Sequence, residues 1–329
     1  MKQVILKTLF SITICSIVIS ASATIEKRKL EKMKQFYKDL PVLVTGGAGF
    51  IGSHITRKLV EIGAKVTVID NLSSGDIENL KPVIHSIRFI NKSIEDFEAC
   101  LEATKGQAVI FHLAAFISVP DSVKNPMACH KTNVDGTCNI LEAARINGVE
   151  RLALSSSAAV YGNTEHICKE NMPCDPQSPY GTSKRIGELL FKQYADNFGL
   201  KTIVLRYFNV FGDRQNPNGA YAAVVAKFTD LMKKDLPLTI FGDGLQTRDF
   251  IPVTKVAEAN LTLAMLKNDQ MNGQIFNVGT GKSINLFELI DMLKKDFPQY
   301  NKAIIFKPAR AGDIKHSIAD CSKYKAISL

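Results

Sequence analysis

Eight residues near the amino end, Thr45-Gly46-Gly47-Ala48-Gly49-Phe50-Ile51-Gly52, restrict the fold more than any other stretch of this 329-residue chain. They follow the β-branched run Val42–Thr45 and open a helical period from Gly52 to Gly63. Glycines at this spacing let the backbone turn tightly and approach a pyrophosphate, which then lies on the N-terminus of the helix. Gly46, Gly49 and Gly52 carry that turn, with Phe50 and Ile51 inside it. The next strand candidate, Lys65–Asp70, ends on a carboxylate 18 residues beyond Gly52. A carboxylate there accepts hydrogen bonds from ribose hydroxyls and repels a 2′-phosphate, and Asn71-Leu72-Ser73 after it holds no arginine. NAD is therefore expected rather than NADP.

Short strand candidates recur at Arg88–Ile90, Ala108–Leu113, Arg151–Ser155 and Thr202–Arg206, separated by helical stretches such as Met127–Asn147 and Gly181–Phe198. This alternation predicts an α/β fold with a Rossmann-like, doubly wound parallel sheet over residues 41–210. After Asn209 the loops become rich in Gly, Pro and Asn, which predicts a smaller lobe over 211–329. That lobe interleaves with the sheet, because Asn277-Val-Gly279-Thr-Gly281 reads as another strand-to-loop turn. Phe111-His112-Leu113-Ala114-Ala115 ends a strand with small residues that let a cofactor come close. His112 reads as a packed histidine, not a catalytic one.

A second cluster carries chemistry: Ser155-Ser156-Ser157, then Ser178-Pro179-Tyr180-Gly-Thr-Ser-Lys184. Tyr180 and Lys184 stand four apart and share one helix face. An ammonium held there is expected to lower the tyrosine pKa towards neutrality. Such a phenol can take a proton from a sugar hydroxyl while a nicotinamide takes the hydride. Ser157, at a strand end, can share that proton.

The net charge of +9 gives little support to a nucleic-acid role. The first 40 residues hold eight Lys/Arg against three Asp/Glu, which accounts for +5, and the rest is unclustered. No nucleic-acid partner is expected. Seven cysteines, Cys15, Cys100, Cys129, Cys138, Cys168, Cys174 and Cys321, form no CxxC, and no metal is expected. Residues 1–32 form an apolar and basic leader that fits three readings. Lys2 and Lys7 before Thr8–Ser20 and Ala21-Ser22-Ala23 look like a signal peptide. The stretch Gln3–Ile25 also passes as a marginal membrane anchor, and a start at Met33 would remove it altogether.

Taken together, Thr-Gly-Gly-Ala-Gly-Phe-Ile-Gly-Ser, His-Leu-Ala-Ala, Ser-Ser-Ser-x-x-Val-Tyr-Gly and Ser-Pro-Tyr-x-x-x-Lys resemble the extended short-chain dehydrogenase/reductase superfamily. More narrowly, residues 41–323 resemble UDP-sugar 4-epimerases. Leu205-Arg-Tyr-Phe-Asn209-Val-Phe-Gly212 and Asn216-Pro-Asn-Gly-Ala-Tyr-Ala-Ala-Val-Val225 are closest to the branch acting on UDP-N-acetylglucosamine. The resemblance implies that Tyr180 is the base, that Lys184 tunes it and holds the nicotinamide ribose, and that Ser157 assists. Hydride would leave C4 for NAD and return on the other face. It further implies cofactor contacts at Asn71, Ile94, Leu113, Ala114, Ala115 and Phe208. Substrate contacts would come from Ser118, Ser157, Asn209, Ala223, Val224, Phe241, Arg248, Arg310, Asp313 and Ser317, the two arginines on the pyrophosphate. Ser317 falls where some relatives carry a tyrosine that closes the pocket over C2, so room for an N-acetyl group is expected.

Related 4,6-dehydratases need Thr-Asp-Glu where this chain has Ser157-Ala158-Ala159, which argues against loss of water. Three departures from the family pattern remain. The adenine-side acid is replaced in Asn91-Lys-Ser93-Ile94, residues 1–40 fall largely outside the pattern, and the chain stops at Leu329 where relatives continue. The lobe is expected to be truncated there. Relatives usually pair through two helices, so a homodimer is expected. NAD and nucleotide sugars are cytosolic reagents, so a cytoplasmic enzyme is expected, with membrane contact only if residues 1–32 stay on as an anchor.

Overall fold

The computed structural model describes residues 24–217, 224–309 and 315–327. Seven parallel strands form the central sheet in the order β11-β6-β5-β4-β1-β2-β3. They are β1 (Pro41–Thr45), β2 (Lys65–Ile69), β3 (Ile87–Ile90), β4 (Val109–His112), β5 (Arg151–Ser157), β6 (Lys201–Tyr207) and β11 (Asn272–Val278). All of their pairings are parallel. Helices cover both faces: α2 (Phe50–Glu61) and α9 (Val253–Leu263) meet on one core, and α3 (Phe97–Thr104), α6 (Gly136–Ile146) and α7 (Pro179–Phe198) on the other. Burial on both faces is why β1 and β2 read as β-branched runs without polar alternation. The sheet is the Rossmann-like, doubly wound arrangement that the sequence predicts. Its order reverses between β1 and β4, and ligands of such sheets bind at the carboxyl ends of the strands there.

The smaller lobe is built on α8 (Val224–Lys233), α10 (Leu286–Lys294) and the parallel pair of β8 (Leu238–Phe241) with β12 (Ile304–Lys307). Two further parallel pairs join it to the sheet. They are β7 (Asn209–Phe211) with β10 (Phe250–Pro252), and β9 (Thr247–Arg248) with β13 (His316–Ser317). A last short helix, α11 (Ser322–Lys325), packs on β11.

The expected leader over residues 1–32 does not end where the sequence reading puts it. One helix, α1, runs over 24–37 and crosses that boundary. Leu30, Met33 and Tyr37 repeat at helical spacing and face the core, with Met33 3% and Tyr37 0% exposed. The Tyr37 hydroxyl donates to the Leu261 carbonyl at 2.8 Å, and Lys29 pairs with Glu258 at 2.7 Å. The Arg151 guanidinium lies 5.5 Å over the Phe36 ring. Residues 1–23, which carry the signal-like and anchor-like pattern, lie outside the described residues. Among the described residues no helix is long and apolar enough to cross a membrane.

The expected single helix Met127–Asn147 is three pieces: α5 (Pro126–His130), a π-helical turn (Lys131–Asp135) and α6. A π turn carries an extra residue and shifts the faces that follow it. Here it faces Asn133 inward.

Candidate active site

Close packing of backbone explains why the cofactor loop is rich in glycine. A Cβ on Gly52 would stand 2.1 Å from the Gly46 carbonyl oxygen, and one on Gly46 would stand 2.7 Å from the Ala114 nitrogen. Gly46 also has φ of +69°, which favours glycine. The loop can therefore lie flat on the ends of β1 and β4, with the first turn of α2 (Phe50, Ile51) beginning directly after Gly49. The Asp70 carboxylate, at the end of β2, accepts from the Ala48 nitrogen and the Leu72 nitrogen, both at 2.9 Å. It thus clamps the glycine loop while each oxygen keeps a lone pair for a ribose hydroxyl. Burial raises its pKa and the two N–H donors oppose that rise. Asn71 follows it at the surface.

A directed chain of hydrogen bonds joins this loop to β4. The Thr45 hydroxyl oxygen accepts from the nitrogens of Leu113 (3.1 Å) and Ala114 (3.0 Å), so its proton points to His112 Nδ1 at 2.8 Å. His112 Nε2 then carries the ring proton and donates to Thr137 Oγ1 at 3.0 Å, and Thr137 donates to the Asn133 carbonyl at 2.6 Å. Burial pushes the His112 pKa down to about 3, with Lys184 as a smaller cause, so the ring is neutral. It is a packed histidine, as its place at a strand end suggests. Its role is to fix Leu113, Ala114 and Ala115 against the glycine loop.

The catalytic candidates converge at the end of β5. Ser157 closes that strand and caps the following 3-10 turn (Ala158–Tyr161), its hydroxyl accepting from the Ala159 nitrogen at 3.1 Å. Ser178 caps α7 by accepting from Gly181, and Pro179 occupies the first helical turn, so Tyr180 stands at the start of α7. The Ser157 hydroxyl lies near the Tyr180 hydroxyl and acts to lower its pKa. Lys184, one turn on, has its ammonium 5.8 Å from the centre of the Tyr180 ring and donates to the Ser155 carbonyl at 2.9 Å.

The electrostatics differ from the sequence expectation. Burial raises the Tyr180 pKa, opposed by the Ser157 hydroxyl, so the chain by itself does not bring the phenol towards neutrality. The same burial pulls Lys184 down to about 8, which weakens the ammonium that was expected to do so. Desolvation outweighs attraction because Lys184 is buried and Tyr180 is largely shielded from water.

Asn133 is a functional candidate that sequence reasoning missed. Its side-chain oxygen accepts from the Phe116 nitrogen at 2.7 Å, and its Nδ2 donates to the Phe116 carbonyl at 3.0 Å and to Ser183 Oγ at 2.9 Å. Ser183 in turn donates to the Tyr180 carbonyl at 2.8 Å. The available signal was the polar run Thr132-Asn133-Val134-Asp135-Gly136 inside a helical period.

The remaining candidates occupy distinct positions. Ile94 is buried against Gly136, where a Cβ would meet its Cδ1 at 2.6 Å. Phe208 is buried in a satellite core with Tyr161, Val160, Cys168 and Ala319. Ser118 caps α4 (Val119–Lys124), and Ser122 on that helix accepts from the Tyr180 nitrogen at 3.1 Å. Asn209 opens β7, Val224 begins α8 and Phe241 ends β8. Arg248 and Ser317 are neighbours in the β9–β13 pairing. Ala223, Arg310 and Asp313 lie outside the described residues. Asp249, 0% exposed, collects donors from Thr280, Gly281 and Ala319 and so ties the loop after β11 to the segment after Ser317. Among the described residues no cluster could hold a metal ion.

The NAD dependent epimerase/dehydratase family model matches residues 42–279. The chain belongs to this family. A protein of Methanocaldococcus jannaschii is 42% identical over 289 residues, covering 87% of this chain and 92% of its own. The UDP-N-acetylglucosamine 4-epimerase of Methanobrevibacter ruminantium M1, solved with UDP-N-acetylmuramic acid, superposes with a TM-score of 0.83 at 39% identity, covering 89% and 93% of the two chains. The UDP-glucose 4-epimerase of Thermotoga maritima, solved with UDP-glucose, gives 0.82 at 40% identity, covering 87% and 91%. NAD is the cofactor of this epimerase, and the flat glycine cradle with the free lone pairs of Asp70 fits a dinucleotide. The family match begins at residue 42, so α1 lies ahead of it.

Proposed function

We propose that this epimerase is a UDP-sugar 4-epimerase whose main substrates are UDP-N-acetylglucosamine and UDP-N-acetylgalactosamine, with UDP-glucose and UDP-galactose turned over more weakly. The observation that carries the reading is the convergence of Ser157, Tyr180 and Lys184 beside the cofactor cradle, with Ala158 and Ala159 offering neither acid nor base for elimination. Bound NAD supplies the acceptor that takes the C4 hydrogen as hydride and returns it to the 4-keto sugar. Tyr180 exchanges a proton with the sugar's O4, Ser157 beside the phenol shares that proton, and Lys184 holds positive charge one turn away. Arg248 binds the pyrophosphate, with Arg310 and Asp313 assigned to pyrophosphate and uridine ribose on sequence grounds alone. Ser317 beside Arg248 supports the acetamido sugars, since its short side chain leaves space.

The same reading makes the protein a cytoplasmic homodimer. A groove of about 630 Å³ between α5 and α7 is lined by Pro126, Met127, His130, Pro179, Thr182, Ser183 and Ile186. Met127 is 74% and the nearby Leu189 53% exposed, an apolar surface suited to a second copy. Light scattering of the full chain reads the oligomeric state.

The decisive test incubates the purified full-length protein with UDP-N-acetylglucosamine and no added NAD. UDP-N-acetylgalactosamine should accumulate to equilibrium, and Tyr180→Phe should lower the rate by about 10²-fold or more with the fold retained. An oxidised or dehydrated product, or an unimpaired Tyr180→Phe, would overturn the reading.

A further inference from the structure

Two turns beyond Tyr180 and one beyond Lys184, α7 buries a carboxylate. Glu188 is 2% exposed, and its side chain is wholly enclosed. Its Oε1 accepts from Ser156 Oγ at 2.6 Å and Arg206 Nε at 2.8 Å, and its Oε2 accepts from Arg206 Nη2 at 2.7 Å and Arg185 Nη1 at 2.9 Å. Arg206 is 1% exposed and the largest fully buried side chain of the chain's described residues. Its guanidinium lies 4.6 Å over the Tyr161 ring and donates to the Glu170 carbonyl at 3.3 Å.

The partners of this pair are the immediate neighbours of the catalytic candidates. Ser156 precedes Ser157 and follows Ser155, whose carbonyl holds Lys184. Arg206 lies two residues before Phe208 and three before Asn209. Tyr161, under the guanidinium, donates to Asn277 Oδ1 at 2.6 Å, and Asn277 Nδ2 reaches the Asp320 carbonyl at 3.2 Å. One buried network thus joins α7, the ends of β5, β6 and β11, and the segment after Ser317.

We propose that the Glu188–Arg206 pair is the positioning element of the catalytic centre: it fixes the Tyr180–Lys184 turn of α7 against the end of β5. This rests on the reading of Tyr180 and Lys184 as catalytic. The physical reason is the weak return of a buried ion pair as a source of stability, since its desolvation roughly cancels its attraction and apolar replacement of both partners is often neutral. What a doubly anchored, bidentate fork does supply is geometry, because it admits one register of α7 against β6.

The charged and titratable groups around Lys184 come from four elements. Glu188 and Tyr180 lie on α7, Cys129 on α5, His112 on β4, and Arg206 with Tyr207 on β6. Burial lowers the Lys184 pKa to about 8, and Cys129 and, less strongly, Glu188 oppose that fall. Removing the Glu188 charge therefore moves Lys184 deprotonation to lower pH. The alkaline limb of kcat follows it down, because the protonated lysine is the working form.

The test compares Glu188→Gln, Glu188→Asp and the double variant Glu188→Gln/Arg206→Met, each as full-length holoenzyme. Glu188→Gln should lower kcat about tenfold or more, leave KM within about twofold, and shift the alkaline limb to lower pH. Glu188→Asp, which keeps the charge, should keep the limb in place. The double variant removes both charges and should recover most of the thermal stability lost in Glu188→Gln, but not kcat. Recovery of wild-type kcat by the double variant would overturn the proposal and leave the pair a purely structural element. An inactive Tyr180→Phe beside such a recovery overturns this inference alone, whereas an active Tyr180→Phe overturns the functional reading beneath it.

Discussion

Ser317 stands opposite Arg248 in a parallel pairing only two residues long, so these two candidate substrate contacts share one backbone register. Arg248 Nη1 is itself held by the carbonyls of Thr247 at 2.9 Å and Lys315 at 3.3 Å. A side chain grown from position 317 must project beside that guanidinium.

Replacing Ser317 with Tyr should therefore suppress turnover of UDP-N-acetylglucosamine while sparing UDP-glucose. A filled pocket discriminates by roughly 10- to 200-fold for a small group, and the ratio of kcat/KM for the two substrates should change within that range. Equal loss for both sugars would locate the effect in the fold of the lobe.

Gly52→Ala should disable the cofactor cradle. The new Cβ would lie 2.1 Å from the Gly46 carbonyl oxygen and 2.9 Å from the Gly47 Cα, and both are backbone atoms that cannot swing aside. Overpacking of this kind costs about 1–3 kcal/mol or more. Thermal melts should show that loss, and the purified protein should carry less NAD, measured by its release on acid denaturation.

Acid should destabilise the protein through His112. Its folded pKa is about 3 against an ordinary value of 6.5, so between these limits the unfolded chain binds one more proton than the folded one. Stability then falls as pH drops from about 6.5, by roughly 3 kcal/mol at pH 4 from this residue alone. His112→Gln should be less stable at pH 7 yet show a shallower decline between pH 7 and pH 4 in urea titrations. An unchanged slope would mean that other groups control acid unfolding.

Starting the chain at Met33 should lower the melting temperature without altering the chemistry. It would remove the first half of α1, including Leu30 and the partly buried Lys29–Glu258 pair, while keeping Met33 and Tyr37. A surface pair contributes little and a half-buried Leu about 1–2 kcal/mol, so a fall of a few degrees is expected at unchanged kcat.

The sheet was legible because a parallel strand covered on both faces is apolar along its middle, as Val42–Val44 and Ile203–Leu205 are. The cofactor loop was legible because only glycine fits where backbones nearly touch. Asn133 was not, since the π turn that faces it inward depends on packing against α7 and leaves no fixed spacing in the sequence. The Glu188–Arg206 pair was equally hidden: two charged residues 18 positions apart look like surface groups until β6 and α7 are packed together. The pKa of Tyr180 was misjudged because helical spacing reports the neighbouring ammonium but not the depth at which both groups lie.

Helix α1 has a consequence for how the molecule can be labelled. Its contacts advance in step with α9, from Glu26 near Lys255 at 3.8 Å, through Lys29 with Glu258, to Tyr37 with Leu261. The two helices therefore run side by side in the same direction. α9 sets out from Pro252, whose strand partner β7 begins at the substrate candidate Asn209, and descends to the opposite rim of the sheet. Thr24 consequently sits at the upper rim, on the side where sugar nucleotides would arrive. A label attached at Thr24 itself would therefore stand at the rim that carries the candidate site and not at the opposite one.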